Sequence, residues 1–254
     1  MKTTLHTDTH SPAGTVAVHK AESRGHADHG WLNARHSFSF ANWYDPARIH
    51  FGALRVLNDD TIAAGKGFGT HPHDNMEIIT LVTEGTLKHT DSMGNEGLIK
   101  AGEVQVMSAG TGVLHSEFNP DPQHRTRLFQ IWIFPRRRNE APRYAQTTLD
   151  PQARENRFQA IASPDATETP TWIGQDAWLH LGRFAAGRTE RYAIKKPGNG
   201  VYAMVVAGSA TVNGAQLSER DAAGVSETDQ LTIQTGPDGA ELLLIEVPMD
   251  LNNH

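Results

Sequence analysis

Apolar residues recur along this chain in short runs, almost never at helical spacing. Residues 51–57, 76–82, 103–108 and 127–134 are rich in branched and aromatic side chains and predict strands, the last stopped by Pro135. His36-Ser-Phe38-Ser-Phe40-Ala alternates polar and apolar positions, as a half-buried strand does. Asn58-Asp59-Asp60 reads as turn chemistry ending the strand before it, and residues 61–64 as a short strand of their own. Arg24 to Gly30 reads as a loop, with His26 and His29 on its surface. Turns at Glu84-Gly85, Asp91 to Asn95 and Ala101-Gly102 separate strands at 86–90 and 97–100. The same grain returns after residue 170, with strands at 178–184, 190–194, 201–206, 210–212, 230–234 and 241–247. Asn213-Gly214 there is the strongest hairpin signal in the chain. Strands this short, at this spacing, predict an all-β sandwich or barrel architecture.

The pattern also repeats. Leu81-Val-Thr-Glu-Gly85-Thr lies on Met204-Val-Val-Ala-Gly208-Ser at an offset of 123 positions. Two β domains in tandem are expected: an irregular tail over 1–20, a first domain over 21–135, a connector over 136–170 and a second domain over 171–254. The connector is rich in Pro, Arg, Glu, Gln and Ala. It offers one strand, at 157–161, and a short helix near 152–156.

Composition narrows the function classes. The 254 residues suffice for two ordinary cores, and 38% hydrophobic with 20% charged residues is a soluble balance. A net charge of -6 disfavours direct nucleic-acid binding, and Arg136-Arg137-Arg138 reads as a solvated interdomain segment. The absence of cysteine excludes disulfides, thiolate metal sites and cysteine nucleophiles. The first 20 residues lack the apolar core of a signal peptide, and no run approaches 18 apolar residues. A cytoplasmic protein with no membrane span is the expectation.

Histidine carries the candidate chemistry: twelve of fourteen lie at or before His124. In a strand, side chains at i and i+2 share a face. His71 and His73 therefore point together, as do His115 and Glu117, and each pair is framed by glycines. On neighbouring strands the two pairs aim three imidazoles and a carboxylate at one point, a donor set for a divalent transition metal. Glu77 also has the parity to serve as the carboxylate, so spacing leaves Glu77 and Glu117 both open. At the repeat offset His71, His73 and Glu77 fall on Ile194, Lys196 and Gly200. The second domain thus keeps the architecture without the ligands, and suits a packing, edge-closing or gating role.

These stretches resemble the paired motifs of the cupin superfamily. Gly65, His71, His73 and Glu77 match the first motif, with Gly85 one position late. Gly102, Gly110, His115 and Asn119 match the second, with Ser108 in place of proline and two residues inserted before the histidine. More narrowly the chain resembles the pirin family through Arg24-Gly-His, His36-Ser-Phe-Ser-Phe40, Gly69-Thr-His-Pro-His73, His89 to Asn95, Met107 to Gly110 and His115-Ser-Glu117.

The resemblance implies a bicupin of two jelly-roll domains with one metal held by His71, His73, His115 and Glu117. It favours Glu117 over Glu77, which would then hydrogen-bond a ligating imidazole. Fe(II) is the metal it implies first, with Zn, Mn, Cu, Ni and Co as alternatives. The implied activity is quercetin 2,3-dioxygenase-type ring cleavage of a flavonol or similar enolic aromatic, with dioxygen as co-substrate and Glu117 as the catalytic base. Phe38, Phe40, Phe51, Met107 and Phe129 are the candidate lining of the substrate pocket. The alternative is a metal-binding regulator acting through a protein partner; a metal-dependent isomerase, a sugar-binding cupin and a metal-stabilised structural bicupin are further readings. A monomer is expected, its two domains pairing as a cupin dimer would.

Overall fold

A computed structural model describes residues 14–251 of the chain. The first half holds β1 (Thr15–His19), β2 (Gly25–Asp28), β3 (Leu32–His36), β4 (Leu54–Ile62), β5 (Gly67–His73) and β6 (Glu77–Glu84). It continues with β7 (Thr86–Asp91), β8 (Glu96–Lys100), β9 (Glu103–Ser108), β10 (Val113–Phe118), β11 (Thr126–Ile133) and β12 (Arg143–Thr148). The second half holds β13 (Phe158–Ala162), β14 (Trp178–Phe184), β15 (Thr189–Ala193), β16 (Asn199–Val212), β17 (Ala215–Leu217), β18 (Ala222–Ser226) and β19 (Gln230–Pro248). Among the described residues the helical elements are two single 3-10 turns, Ala21–Ser23 and Gln152–Arg154, the second where a short helix was expected.

Two sheets make the first domain. One runs β12-β9-β6-β11-β4-β3-β2 and the other β5-β10-β7-β8. Strand parity divides the seven-stranded sheet between two tasks. Leu57, Ile79, Leu81, Phe129, Ile131 and Ile133 face outward into a core shared with Tyr202, Met204, Leu243 and Ile245 of the second domain. Their neighbours Ile62, Val82 and Leu128 face inward, against Leu87 and Ile99 of the four-stranded sheet. Because both faces are covered, β6 is buried from Glu77 through Val82 and reads as a continuous apolar run rather than an alternating one.

The second domain is one eight-stranded sheet, β1-β18-β16-β19-β14-β13, with β15 on β19 and β17 on β16. β16 and β19 are long enough to bend round a corner, and their mutual register slips at Val205/Ala207 and Gly208/Ala210. The repeat is real at its turn. Gly85 and Gly208 hold φ of 77° and 78°, and a Cβ on either would sit within 2.7 Å of a backbone carbonyl oxygen. Asn213 and Gly214, at φ 43° and 86°, form the hairpin that joins β16 to β17.

Five local expectations change. Residues 15–19 of the expected irregular tail form β1, which pairs with β18 and so belongs to the second domain's sheet; residues 1–13 lie outside the described residues. The expected connector contains β12, an edge strand whose side chains are all half-buried or exposed and therefore show no alternation. The strand expected at 36–41 lies earlier, as β3, and Phe40 keeps only an isolated bridge to Trp43. The loop expected around His26 contains β2, paired with β3. Asn58-Asp59-Asp60 is not a turn: β4 runs straight through it.

Candidate metal centre

β10 lies between β5 and β7, and this sandwiching gathers the histidines. His115 stands opposite His71 on β5, and on its other side His115 faces Asp91 and Glu117 faces His89 of β7. β5 runs very close to β10: a Cβ on Gly67 would come within 2.2 Å of the Glu117 carbonyl oxygen. The ring centroids of His71, His73 and His115 are 4.4–4.9 Å apart, and one donor atom from each lies within 4.8 Å of the others. His89, His115 and Glu117 form a second such group, so His115 joins the two.

Hydrogen bonds orient the donors. His71 donates Nδ1–H to the Gly69 carbonyl at 2.8 Å, leaving Nε2 free to coordinate. His115 Nε2 is buried and has no hydrogen-bond partner. Burial and the neighbouring imidazoles pull His73 down to about 4 and His115 to about 3, so both are neutral at pH 7, as ligands must be. Glu117 is buried, and Gln130 Nε2 donates to its two oxygens at 3.2 and 3.0 Å. Thr80 donates its hydroxyl to Gln130 Oε1 at 2.9 Å, fixing the amide. Burial raises the Glu117 carboxyl above its ordinary range, against the pull of His89 and these hydrogen bonds. An orphaned imidazole nitrogen beside other imidazoles and a buried carboxyl group fits a divalent transition metal.

The site opens on a cavity of about 400 Å³. Trp31, Phe40, Phe68 and Trp132 give it flat apolar walls, with Trp132 edge-on to His73 at 4.8 Å. A polar strip from β3 and β4 crosses it: His36, Asn58 and Asp60, with His36 Nδ1 2.9 Å from Asn58 Oδ1. Asp60 is buried, its Oδ1 has no partner, and burial with the nearby Asp59 and Glu117 holds its carboxyl well above the usual range.

Residues 17–133 match the family profile Pirin, and residues 160–247 match the quercetinase C-terminal cupin domain. The quercetin 2,3-dioxygenase of Escherichia coli K12 is 44% identical over 234 residues, spanning 92% of this chain and 99% of that protein. The chain belongs to the pirin family. A pirin-like protein of Caulobacter vibrioides is 45% identical over 225 residues, 87% of this chain and 95% of that one. The crystal structure of the E. coli bacterial pirin YhhW in complex with nickel(II) superposes with a TM-score of 0.87 at 43% identity, covering 92% of this chain and 99% of that chain.

In this pirin, Glu77 is not among the gathered donors. Its carboxylate accepts the Ser108 hydroxyl at 2.6 Å and is drawn to Arg143, rather than to any imidazole. The parity argument for it fails because β5 ends at His73 and β6 begins at Glu77 in the other sheet, after a bend through Asn75 at φ 46°. Of the expected pocket aromatics only Phe40 lines the cavity. Phe38, Phe51 and Phe129 face the second domain, the first two against Tyr202, and Met107 packs with Ile78 and Val113. Sequence reading passed over His89, Asp60, Gln130 and Thr80. His89 had a signal: Leu87, His89 and Asp91 share the buried parity of β7, and His89 Nε2 lies 3.1 Å from Asp91.

Proposed function

We propose that this pirin is a metal-dependent dioxygenase that opens the ring of a flavonol or similar enolic aromatic. His71, His73, His115 and Glu117 hold its metal, with Fe(II) as the working ion. One observation carries the reading: His71, His73 and Glu117 line an aromatic-walled cavity of about 400 Å³, within the range of small-molecule sites, next to the buried and orphaned His115 Nε2. A structural or purely regulatory metal needs no such cavity. The names of the E. coli relatives support the same activity and keep nickel among the candidate ions.

A divalent metal here would supply positive charge that acidifies a coordinated hydroxyl, together with an electron path to dioxygen. The chain does the rest. Trp31, Phe40, Phe68 and Trp132 stack on a flat substrate and keep water from its ring. Glu117, raised by burial, receives the hydroxyl proton on a carboxylate oxygen, and Gln130 holds that carboxylate in line. His36, Asn58 and Asp60 meet the polar edge of the substrate along one wall.

The test is dioxygen uptake after quercetin is mixed anaerobically with the protein and air is admitted. Uptake that falls to background in His71→Ala, with the circular dichroism spectrum unchanged, supports the reading. Equal uptake in wild type and variant contradicts it.

A further inference from the structure

The parity that sends Asn58 and Asp60 into the cavity sends Asp59 the other way, toward the second domain. There one carboxylate meets three guanidiniums: Arg24 at 3.6 Å, Arg127 at 3.9 Å and Arg220 at 3.5 Å. Close by, Glu241 is divided between Arg154 at 3.8 Å and Arg183 at 3.9 Å. Arg127, Arg154, Arg183 and Arg220 line an interdomain cavity of about 280 Å³ whose other charged lining is Glu219 and Glu241. With Arg24 the cluster holds five guanidiniums, against the four carboxylates of Asp59, Glu155, Glu219 and Glu241. Glu155 stands outside the lining, 3.7 Å from Arg183.

Three further features mark this cavity as built to receive something. The ion pairs to Asp59 and Glu241 stand 3.5–3.9 Å apart, so each carboxylate is shared rather than gripped. Nε of Arg127 and Arg154, and Nη1 of Arg220, are buried without a hydrogen-bond acceptor, while Nε of Arg220 faces Asp59 Oδ2 at 3.5 Å. Buried donors are normally satisfied, and three unsatisfied ones on three arginines mark a cluster short of acceptors. Arg220 is also held at φ 67°, a conformation glycine adopts without strain, while its guanidinium lies 5.0 Å over the Phe129 ring.

We propose that this interdomain cavity binds a small oxyanion, of the phosphate or dicarboxylate kind, through Arg127, Arg154, Arg183 and Arg220. The excess of guanidiniums over carboxylates suits an anion, and the guanidinium fork suits either oxyanion. Arg127 comes from β11 of the first domain, and Arg183 and Arg220 come from the second, so the ligand clamps the two together. The site lies on the far face of the seven-stranded sheet from the histidines and does not depend on the dioxygenase reading.

Calorimetric titration of the metal-loaded full chain tests it, with inorganic phosphate in one arm and malonate in the other, at an ionic strength fixed with KCl. One site per chain is expected for at least one probe, weakened at least 10-fold in Arg183→Gln and in Arg220→Gly. Arg183 is half exposed and Arg220→Gly suits the backbone, so both variants are expected to fold. Binding of phosphate alone assigns a phosphoryl ligand, and binding of malonate alone a dicarboxylate. No saturable binding of either, or binding that persists in both variants, overturns the proposal.

Discussion

Gln130 ties the candidate carboxylate to the sheet, since its amide reaches both oxygens of Glu117 and is itself fixed by Thr80. Partners of this kind tune metal affinity. Gln130→Ala is expected to weaken metal binding about 10- to 100-fold in competition with a chelator. Glu77→Gln, whose side chain answers Ser108, is expected to leave it unchanged. The reverse order would return the carboxylate to Glu77. Spacing alone singled out His71, His73 and His115, which the structure brings together, and left Glu77 and Glu117 both open. Reading of the sequence missed Asp59 and Asp60 because Asn-Asp-Asp is ordinary turn composition. Only the sheets on both sides of β4 make polar residues in mid-strand affordable, one parity facing the cavity and the other the arginines.

At the scale of the element, the site depends on how closely β5 and β10 approach. Gly67 permits this, because any Cβ there would strike the Glu117 backbone and the Phe118 ring. Gly67→Ala is expected to push β5 outward and separate His71 from His115, lowering metal affinity at least about 10-fold by the same coordination argument. Chelator competition measures this, with urea denaturation as the control for folding. Affinity equal to wild type would show that the strand spacing is not critical. Interior strands such as β6 and β11 were legible because burial on both faces leaves a continuous apolar run. β1 and β12 were not, because an edge strand is held by backbone pairing and its side chains need no pattern.

At the scale of the molecule, one core joins both domains, from Leu57 and Phe129 to Tyr202 and Ile245, so the chain is expected to unfold as a unit. Its acid sensitivity has a definite sign. His19 and His180, remote from the metal centre, are pulled down to about 4, chiefly by burial. Between pH 6.5 and about 4 these two histidines bind protons in the unfolded chain that they refuse in the folded one, so their contribution to stability is full above pH 6.5 and is lost as pH drops through that window. Urea midpoints measured from pH 7.5 to 4.5 are expected to decline in a single transition, with a shallower slope in His180→Gln. An unchanged slope would contradict the burial argument. The two-domain architecture was legible through the Gly85 and Gly208 repeat, whereas the interdomain arginines come from distant segments that no local pattern joins.

The most direct test of the whole account is the metal content of gently purified protein, by elemental analysis, for wild type, His71→Ala, His115→Ala and Glu77→Gln. The account predicts about one divalent transition-metal ion per chain in wild type and Glu77→Gln, and near none in the two histidine variants. A metal-free wild type, or metal retained in both histidine variants, would contradict it.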